Sequence, residues 1–562
     1  MSPLDLAVVI AYLVGIAALG IYQTVRVKTS GDYFTGGRKF SKFLMVMHAL
    51  GTGTHADDPV GVAGAAYQRG ISGIWYTYAY LFVTPFYWIM APLFRRSRFI
   101  TTADFFSYRF GSKMGTLYTV MGIIIFSLFT GTILRGTGTI VEAVTEGAVP
   151  DWVAIAAMTV IFVAYGFAGG LIATVVTEAI QGVLIVVMSL LLVPFGLVAV
   201  GGFSGLHRWV EKASPTVDLF SLAAPEEITT TWIIVASIMM LIGIVAHPHI
   251  MEVCSTGKTE FEGRVGFTYG NFIKRFCAMG WAFTGLIMVA LVAKGDVPPP
   301  AAGDREWAFG MGIRHLLPAG ATGLMFAAIL AAQMSSLSAF MVAGGALFAR
   351  NIYKQYIKPD AGDQSVLAIG RVTGLLVVFL GLLVAFVITG VAEGLTWFWS
   401  VTGILGVSIW FGVLWRRANR VGAWSSFLLM TAIWLVLGPI GMRFRDLLGL
   451  DFLGMFGEKA DLPKLVACYL PAGILAMIVG SLVTPPEDKQ RMDHFYLLLR
   501  TPVGREEELE KAGVEVVYKG STEPHPWEIN HPVLVNVLGF IAGLLFALAI
   551  LGILWGLTRI GA

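Results

Sequence analysis

The stretch HALGTGTHADDPVGVAGAAYQRG, residues 48–70, sets His55, Asp57 and Asp58 beside Pro59 between two apolar flanks. Two carboxylates and an imidazole in so short a run can pair with a cation, hold a metal or relay protons. A second kind of ionisable group, Arg135, stands in GTILRGTGTI, roughly midway along another apolar run. Its guanidinium fork suits a carboxylate, whether from the chain itself or from a ligand. A charge at the centre of a bilayer costs about 2.5–3.5 kcal/mol even on the lenient insertion scale, so such residues mark pairing or function. His247 and His249 flank Pro248 in LIGIVAHPHIMEV, and Trp397 and Trp399 lie in TWFWS.

The elements that must position these groups are membrane helices. The chain has 562 residues, 56% hydrophobic and 13% charged, with a mean hydropathy of +0.75. A soluble globular chain carries about 25% charged residues. Apolar runs recur at about 4–21, 43–68, 74–94, 115–144, 152–169, 171–200, 231–251, 271–293, 319–349, 367–390, 394–415, 422–440, 465–484 and 532–557. That makes about fourteen transmembrane helices if GFAGG at 166–170 is a turn. Basic residues gather in alternate connections: Arg26/Lys28/Arg38/Lys39, Arg95/Arg96/Arg98/Arg109/Lys113, Lys258/Arg264/Lys274/Arg275, Arg350/Lys354/Lys358 and Arg416/Arg417/Arg420. The positive-inside rule puts these in the cytoplasm and both termini outside, in a multi-pass plasma (inner) membrane protein.

The net charge of +3 gives no reason to propose a nucleic-acid partner. Three cysteines, Cys254, Cys277 and Cys468, are too few and too scattered for a disulfide framework or a thiolate metal site. Residues 486–530 read as a cytoplasmic linker, with a short solvated helix at REEELEKAG and a short strand at GVEVVYKG.

Two spans carry helix breakers at their centres. The second has Gly51, Thr52, Gly53 and Thr54, then Pro59 and Gly61; the seventh has Gly243 and Pro248. Glycine lowers the cost of unwinding and proline cannot donate a backbone hydrogen bond. Breaks in two spans separated by four others are the pattern of paired discontinuous helices in an inverted-repeat transporter, whose freed carbonyls coordinate a cation near the membrane midplane.

Several local motifs resemble one family, the sodium:solute symporters, which include sodium-coupled sugar, proline and sialic acid carriers. They are GGRKFSKF (36–43), VGVAGAAYQRGISGIWY (60–76), TADFFSYRFG (102–111), YGFAGGLIATVVTEAIQG (165–182), PHIMEV (248–253), LAAQMSSLSAFM (330–341) followed by ARNIYK, and FGVLWRRANRVGA (411–423). The resemblance covers roughly residues 30–425. It implies an all-α membrane protein with a leucine-transporter-type 5+5 inverted repeat. Residues 40–201 are then the first repeat and 229–416 the second. Extra helices lie at 1–30, 421–485 and 531–562.

The resemblance also implies a sodium site: carbonyls of Gly51, Thr54 and Ala332 with the hydroxyls of Ser335 and Ser336. Neutral oxygens suit a hard monovalent cation that must be released. A possible second cation site maps to Glu178 and Ser338. Some members of the family place an aspartate and further serines there, whereas this chain has glutamate in TEAIQ and Ala339 after Ser338, so the departures argue for one sodium. Glu178 can instead carry a proton or pair with a base.

The expected solute pocket involves Thr52, Gly53, Asp57, Asp58, Arg135, His249 and Trp399. HADDP departs from the family, where the residues just after the first sodium ligands are mostly small or neutral polar, and His249 falls where sugar-carrying relatives place a gating aromatic. Since the family core packs the second span against the fourth, three readings of the charges are open. Arg135 pairs with Asp57 or Asp58; or it reads a solute carboxylate while an aspartate serves a cation or amine; or His55, Asp57 and Asp58 hold a metal or move protons. The function implied is monomeric sodium-coupled import of a small organic solute by alternating access, with no catalytic residue and no organic cofactor. An amino acid, organic acid or acidic sugar is slightly favoured. A sugar or polyol carrier, a proton-coupled carrier, a membrane metalloenzyme and a non-transporting sensor are the alternatives.

Overall fold

A computed structural model describes residues 2–24, 29–224, 228–300, 304–438 and 462–562. Arg26, Lys28 and the end of the 422–440 run therefore lie outside the described residues. The described chain is helical and contains no strand, only an isolated bridge between Phe40 and Gly257.

The principal helices are α1 (Pro3–Thr24), α2 (Lys42–Thr52), α3 (Asp57–Arg69), α4 (Thr84–Ser97), α5 (Ser112–Thr145), α6 (Asp151–Val200), α7 (Thr230–Gly243), α8 (Pro248–Ser255), α9 (Glu260–Lys294), α10 (Ala321–Phe348), α11 (Asp363–Val387), α12 (Val391–Leu414), α13 (Arg420–Leu437), α14 (Leu462–Val483) and α15 (Pro532–Leu557). Ten described segments are long and apolar enough to cross a membrane singly, and α7 with α8 forms a further, bent span. The remaining expected spans are interrupted. The 43–68 run divides into α2 and α3. The 74–94 run holds a single helical turn, Trp75–Tyr78, before α4, whose first turn contains Pro85. Proline fits a first helical turn because its missing N–H has no intrahelical partner there. The GFAGG run ends in a left-handed Gly170, with φ 55° and ψ −161°, which divides α6 into two segments.

Burial sorts the helices. The apolar windows of α9 and α10 are 83% and 94% buried, whereas those of α1 and α15 are 17% and 22% buried. α9 packs against α2, α3, α4 and α6, and α10 against α6 and α11. The deeply buried pair thus forms the centre, and the terminal helices face the bilayer. This is an all-α membrane architecture.

Two features depart from expectation. Lys274 and Arg275, grouped above with a basic connection, lie well inside α9 and are buried. The helix begins at a capping box in which Thr259 and Glu262 satisfy each other's backbone donors. At 1.5 Å per residue, Lys274 sits about 20 Å along the helix. The second departure is the 486–530 segment, which is docked rather than solvated. Buried Arg98 donates to the carbonyls of Thr501 (2.9 Å) and Pro502 (3.1 Å) and to Glu506 (2.7 Å). Arg38 donates to the Tyr518 carbonyl at 2.8 Å, and Arg264 pairs with buried Glu528. The expected strand at 513–520 is absent, its Tyr518 backbone being engaged by Arg38 and by the Arg98 carbonyl instead.

Candidate cation and solute site

Between α2 and α3, residues 53–56 leave the helix, as the Gly/Thr content predicted. α2 ends at Thr52, and Asp57 and Asp58 form the first turn of α3, with Pro59 one residue further on. The two half-helices direct a C-terminus and an N-terminus at the same small space. Carboxylates in the first turn of a helix also favour its positive end.

α10 supplies the opposing wall. Ser336 Oγ donates to the Gly51 carbonyl at 3.0 Å and to the Ala332 carbonyl at 3.2 Å. Ser335 Oγ donates to Glu178 Oε1 at 3.0 Å, and Thr52 Oγ1 donates to the same oxygen at 3.1 Å. Glu178 Oε2 lies 2.6 Å from His48 Nδ1. The hydroxyls of Thr54 and Ser338 are buried without a partner among the described residues. The fit is close: a Cβ on Gly51 would stand 2.7 Å from Ser335 Oγ and 3.0 Å from Glu178 Cγ. Gly51, Ala332, Ser335, Ser336 and Glu178 therefore converge, with Thr52 bridging to Glu178. Because the Ser335 and Ser336 hydroxyls each spend their proton on an oxygen, their lone pairs remain for a cation.

The charges of HADDP are balanced by a residue that sequence reasoning did not single out. Lys274 Nζ lies 2.8 Å from Asp58 Oδ2 and also donates to the Gly53 carbonyl. The His55 backbone N–H reaches the same Asp58 oxygen at 3.0 Å. His55 Nδ1 lies 3.1 Å from Asp57 Oδ1, while its Nε2 donates to the Thr52 carbonyl at 3.2 Å. Arg135 does not pair with either aspartate. It forms an ion pair with Asp151, the first residue of α6, and both side chains are about a quarter exposed, at 26% and 22%. The fourth span places its arginine near the α5–α6 connection, where a nearby carboxylate meets it before the cavity does.

Ligand atoms of His55, Asp57 and Asp58 lie within 4.8 Å of one another, close enough for a metal. Asp58 Oδ2 already receives two donors, one of them an ammonium, which a divalent ion would have to displace.

A cavity beside the break is lined by Gly53, His55, Asp57 and Asp58, by Lys274, Asn271 and Arg275 of α9, by His247 and His249, and by Tyr76, Phe398 and Trp399. Arg275 lies over the Tyr80 ring at 5.3 Å. His247 and His249 straddle the 69° bend between α7 and α8, and the Tyr118 hydroxyl donates to the Ala246 carbonyl freed there at 2.8 Å. His249 packs 5.3 Å from Phe340, and Trp399 6.0 Å from Tyr76, centroid to centroid. Of the residues assigned to the solute, Gly53, Asp57, Asp58, His249 and Trp399 line this cavity; Thr52 faces Glu178, and Arg135 is elsewhere. The capping box at 259–262 was the sequence signal that could have placed Lys274 and Arg275 within a span. The i, i+4 spacing of His48 and Thr52 likewise puts both on one face, toward Glu178.

Residues 33–429 match the profile of the sodium:solute symporter family. The chain is 23% identical over 486 residues to the sodium/glucose cotransporter of Vibrio parahaemolyticus, covering 79% of this chain and 87% of that protein. It is 26% identical over 449 residues to the osmoregulated proline transporter of Bacillus subtilis, covering 76% and 88%. Its fold is similar to a solved sodium-coupled sialic acid symporter in a substrate-bound outward-open state, with a TM-score of 0.71, 17% identity, and 86% and 99% coverage.

Proposed function

The chain belongs to the sodium:solute symporter family, and we propose that it imports a small carboxylate-bearing organic solute together with sodium. It is an integral membrane carrier rather than an enzyme. The observation that carries the reading is the approach of the Ser336 hydroxyl to the Gly51 carbonyl, 3.0 Å apart, at the point where α2 unwinds. In this reading Gly51, Thr54, Ala332, Ser335 and Ser336 surround one sodium ion. Glu178, one hydrogen bond behind Ser335, adds negative potential without a direct bond to the ion.

Sodium binding holds α2 against α10 and so favours the conformation whose adjoining cavity receives solute. Coupling then follows from reciprocity: whatever the ion adds to solute affinity, the solute adds to ion affinity. Each sodium entering down a potential of 100 mV contributes about 2.3 kcal/mol before its concentration gradient is counted. Opening inward releases both into the cytoplasm. The chain acts as a monomer, with both termini outside.

Arg275 takes the role that the sequence suggested for Arg135. It lines the cavity, and its guanidinium offers a carboxylate two parallel donors. Tyr76, Phe398 and Trp399 wall the apolar part of the solute. Relatives named for glucose and myo-inositol transport favour a second reading, a neutral sugar or polyol. Thermal-shift screening of the purified chain against amino acids, organic acids, acidic sugars and polyols, with sodium or potassium, separates the two. Stabilisation by carboxylates only in sodium supports the first reading, whereas stabilisation by polyols alone supports the second.

A further inference from the structure

We infer that the Lys274 ammonium is a tethered cation occupying the α2–α3 break, and that it replaces a second exchangeable ion there. This inference rests on the sodium-coupled reading above.

An unwound membrane segment must satisfy its freed carbonyls with donors or ions. In this chain the Thr52 carbonyl takes His55 Nε2, and the Gly53 carbonyl takes Lys274 Nζ. The same ammonium meets Asp58 Oδ2 at 2.8 Å. A backbone carbonyl and a carboxylate around one positive centre are the ligands a monovalent cation would use. An ammonium is a compact point charge with three donors and fits the same place. The Gly51 carbonyl, by contrast, receives the Ser336 hydroxyl, which can yield to an ion without leaving the site. One break therefore offers two cation positions, one filled from α9 and one open to exchange.

Electrostatics makes the filled position obligatory. Asp57 and Asp58 are both buried, and Asp57 Oδ2 has no partner among the described residues. Arg275 also faces this cavity, and His55 Nδ1 stands 3.1 Å from Asp57 Oδ1 and 3.4 Å from Asp58 Oδ2, but the ammonium makes the nearest side-chain approach to Asp58, at 2.8 Å. Without Lys274, two carboxylates would share a buried break, a costly arrangement unless a cation enters. Sodium, already abundant on the loading side, would satisfy that demand.

The test is equilibrium binding of radioactive sodium to the purified full chain, paired with the sodium dependence of uptake. The wild type is expected to bind one sodium per chain. Lys274→Gln is expected to bind two, with uptake turning from hyperbolic to sigmoidal as the Hill coefficient moves from about one to about two. Asp58→Asn/Lys274→Gln, which removes both charges, returns to one. If Lys274→Gln cannot be recovered, Asp57→Asn/Lys274→Gln keeps the single Asp58 carboxylate and is expected to take the second ion in the same way. One sodium in these lysine-free variants that retain Asp58, or two in the wild type, overturns the inference and leaves the coupling reading standing. No sodium bound by the wild type overturns the coupling reading itself.

Discussion

Ser336, on the buried helix α10, donates its hydroxyl to the carbonyl of Gly51, the penultimate residue of α2, across 3.0 Å. This contact joins segments 285 residues apart at the point where one of them stops being helical. Replacing Ser336 with alanine removes one oxygen of the proposed sodium site and leaves the Gly51 carbonyl short of a donor. A hydrogen-bond loss of about 1–2 kcal/mol corresponds to roughly a 5- to 30-fold rise in the sodium concentration for half-maximal uptake. Membrane insertion should be unchanged. Sodium titration of uptake in proteoliposomes checks this, and an unaltered midpoint counts against the site.

Gly51→Ala probes the same region through packing rather than chemistry. The added methyl would lie 2.7 Å from Ser335 Oγ and 3.0 Å from Glu178 Cγ, inside contact distance on a wall with little freedom to yield. Overpacking of this kind costs about 1–3 kcal/mol. We expect a lower melting temperature in sodium, with less of that loss in potassium, where α2 and α10 need not close on an ion. Equal losses in both salts would mean that the contact is structural only.

The two arginines separate the solute readings. Arg135 pairs with Asp151, both partly exposed, and such pairs are worth about 0–1 kcal/mol. Arg135→Lys should therefore leave solute affinity within about threefold of the wild type, whereas Arg275→Lys loses the bidentate fork and should raise the KM for a carboxylate about tenfold or more. Uptake kinetics with a carboxylate and its neutral amide distinguish them. A large effect at Arg135 and none at Arg275 would reverse the assignment.

Arg98 tests the docked C-terminal segment. Its buried guanidinium holds the carbonyls of Thr501 and Pro502 and the carboxylate of Glu506. Arg98→Ala leaves these acceptors without their donor and should cost about 3–5 kcal/mol. The expected signs are a lower melting temperature and faster proteolysis within residues 486–530. Limited proteolysis followed by mass spectrometry reads out the second.

Much of this was legible in the residues. Gly51, Gly53 and Pro59 marked the break because backbone propensity acts locally and needs no knowledge of neighbours. The convergence of Ser335 and Ser336 upon it was legible only through the family resemblance, since their spacing alone says nothing of α2. Lys274 was obscured because charge counting treats any lysine near the edge of an apolar run as loop. Its depth shows only when the helix start is traced back to the capping box at Thr259. Arg135 was expected beside the break for the opposite reason: its depth was read from the apolar run, while the partner the fold gives it, Asp151, lay just past the next turn. His48 looked like one more polar residue until the fold brought it 2.6 Å from Glu178.

The most direct test of sodium coupling at the α2–α10 contact is uptake of a screened solute into proteoliposomes under an inward sodium gradient, with no pH gradient and with choline as control. The expected result is accumulation in sodium and none in choline, with Ser336→Ala requiring at least about fivefold more sodium. Equal accumulation in choline, or uptake that follows only an imposed pH gradient, would contradict the account.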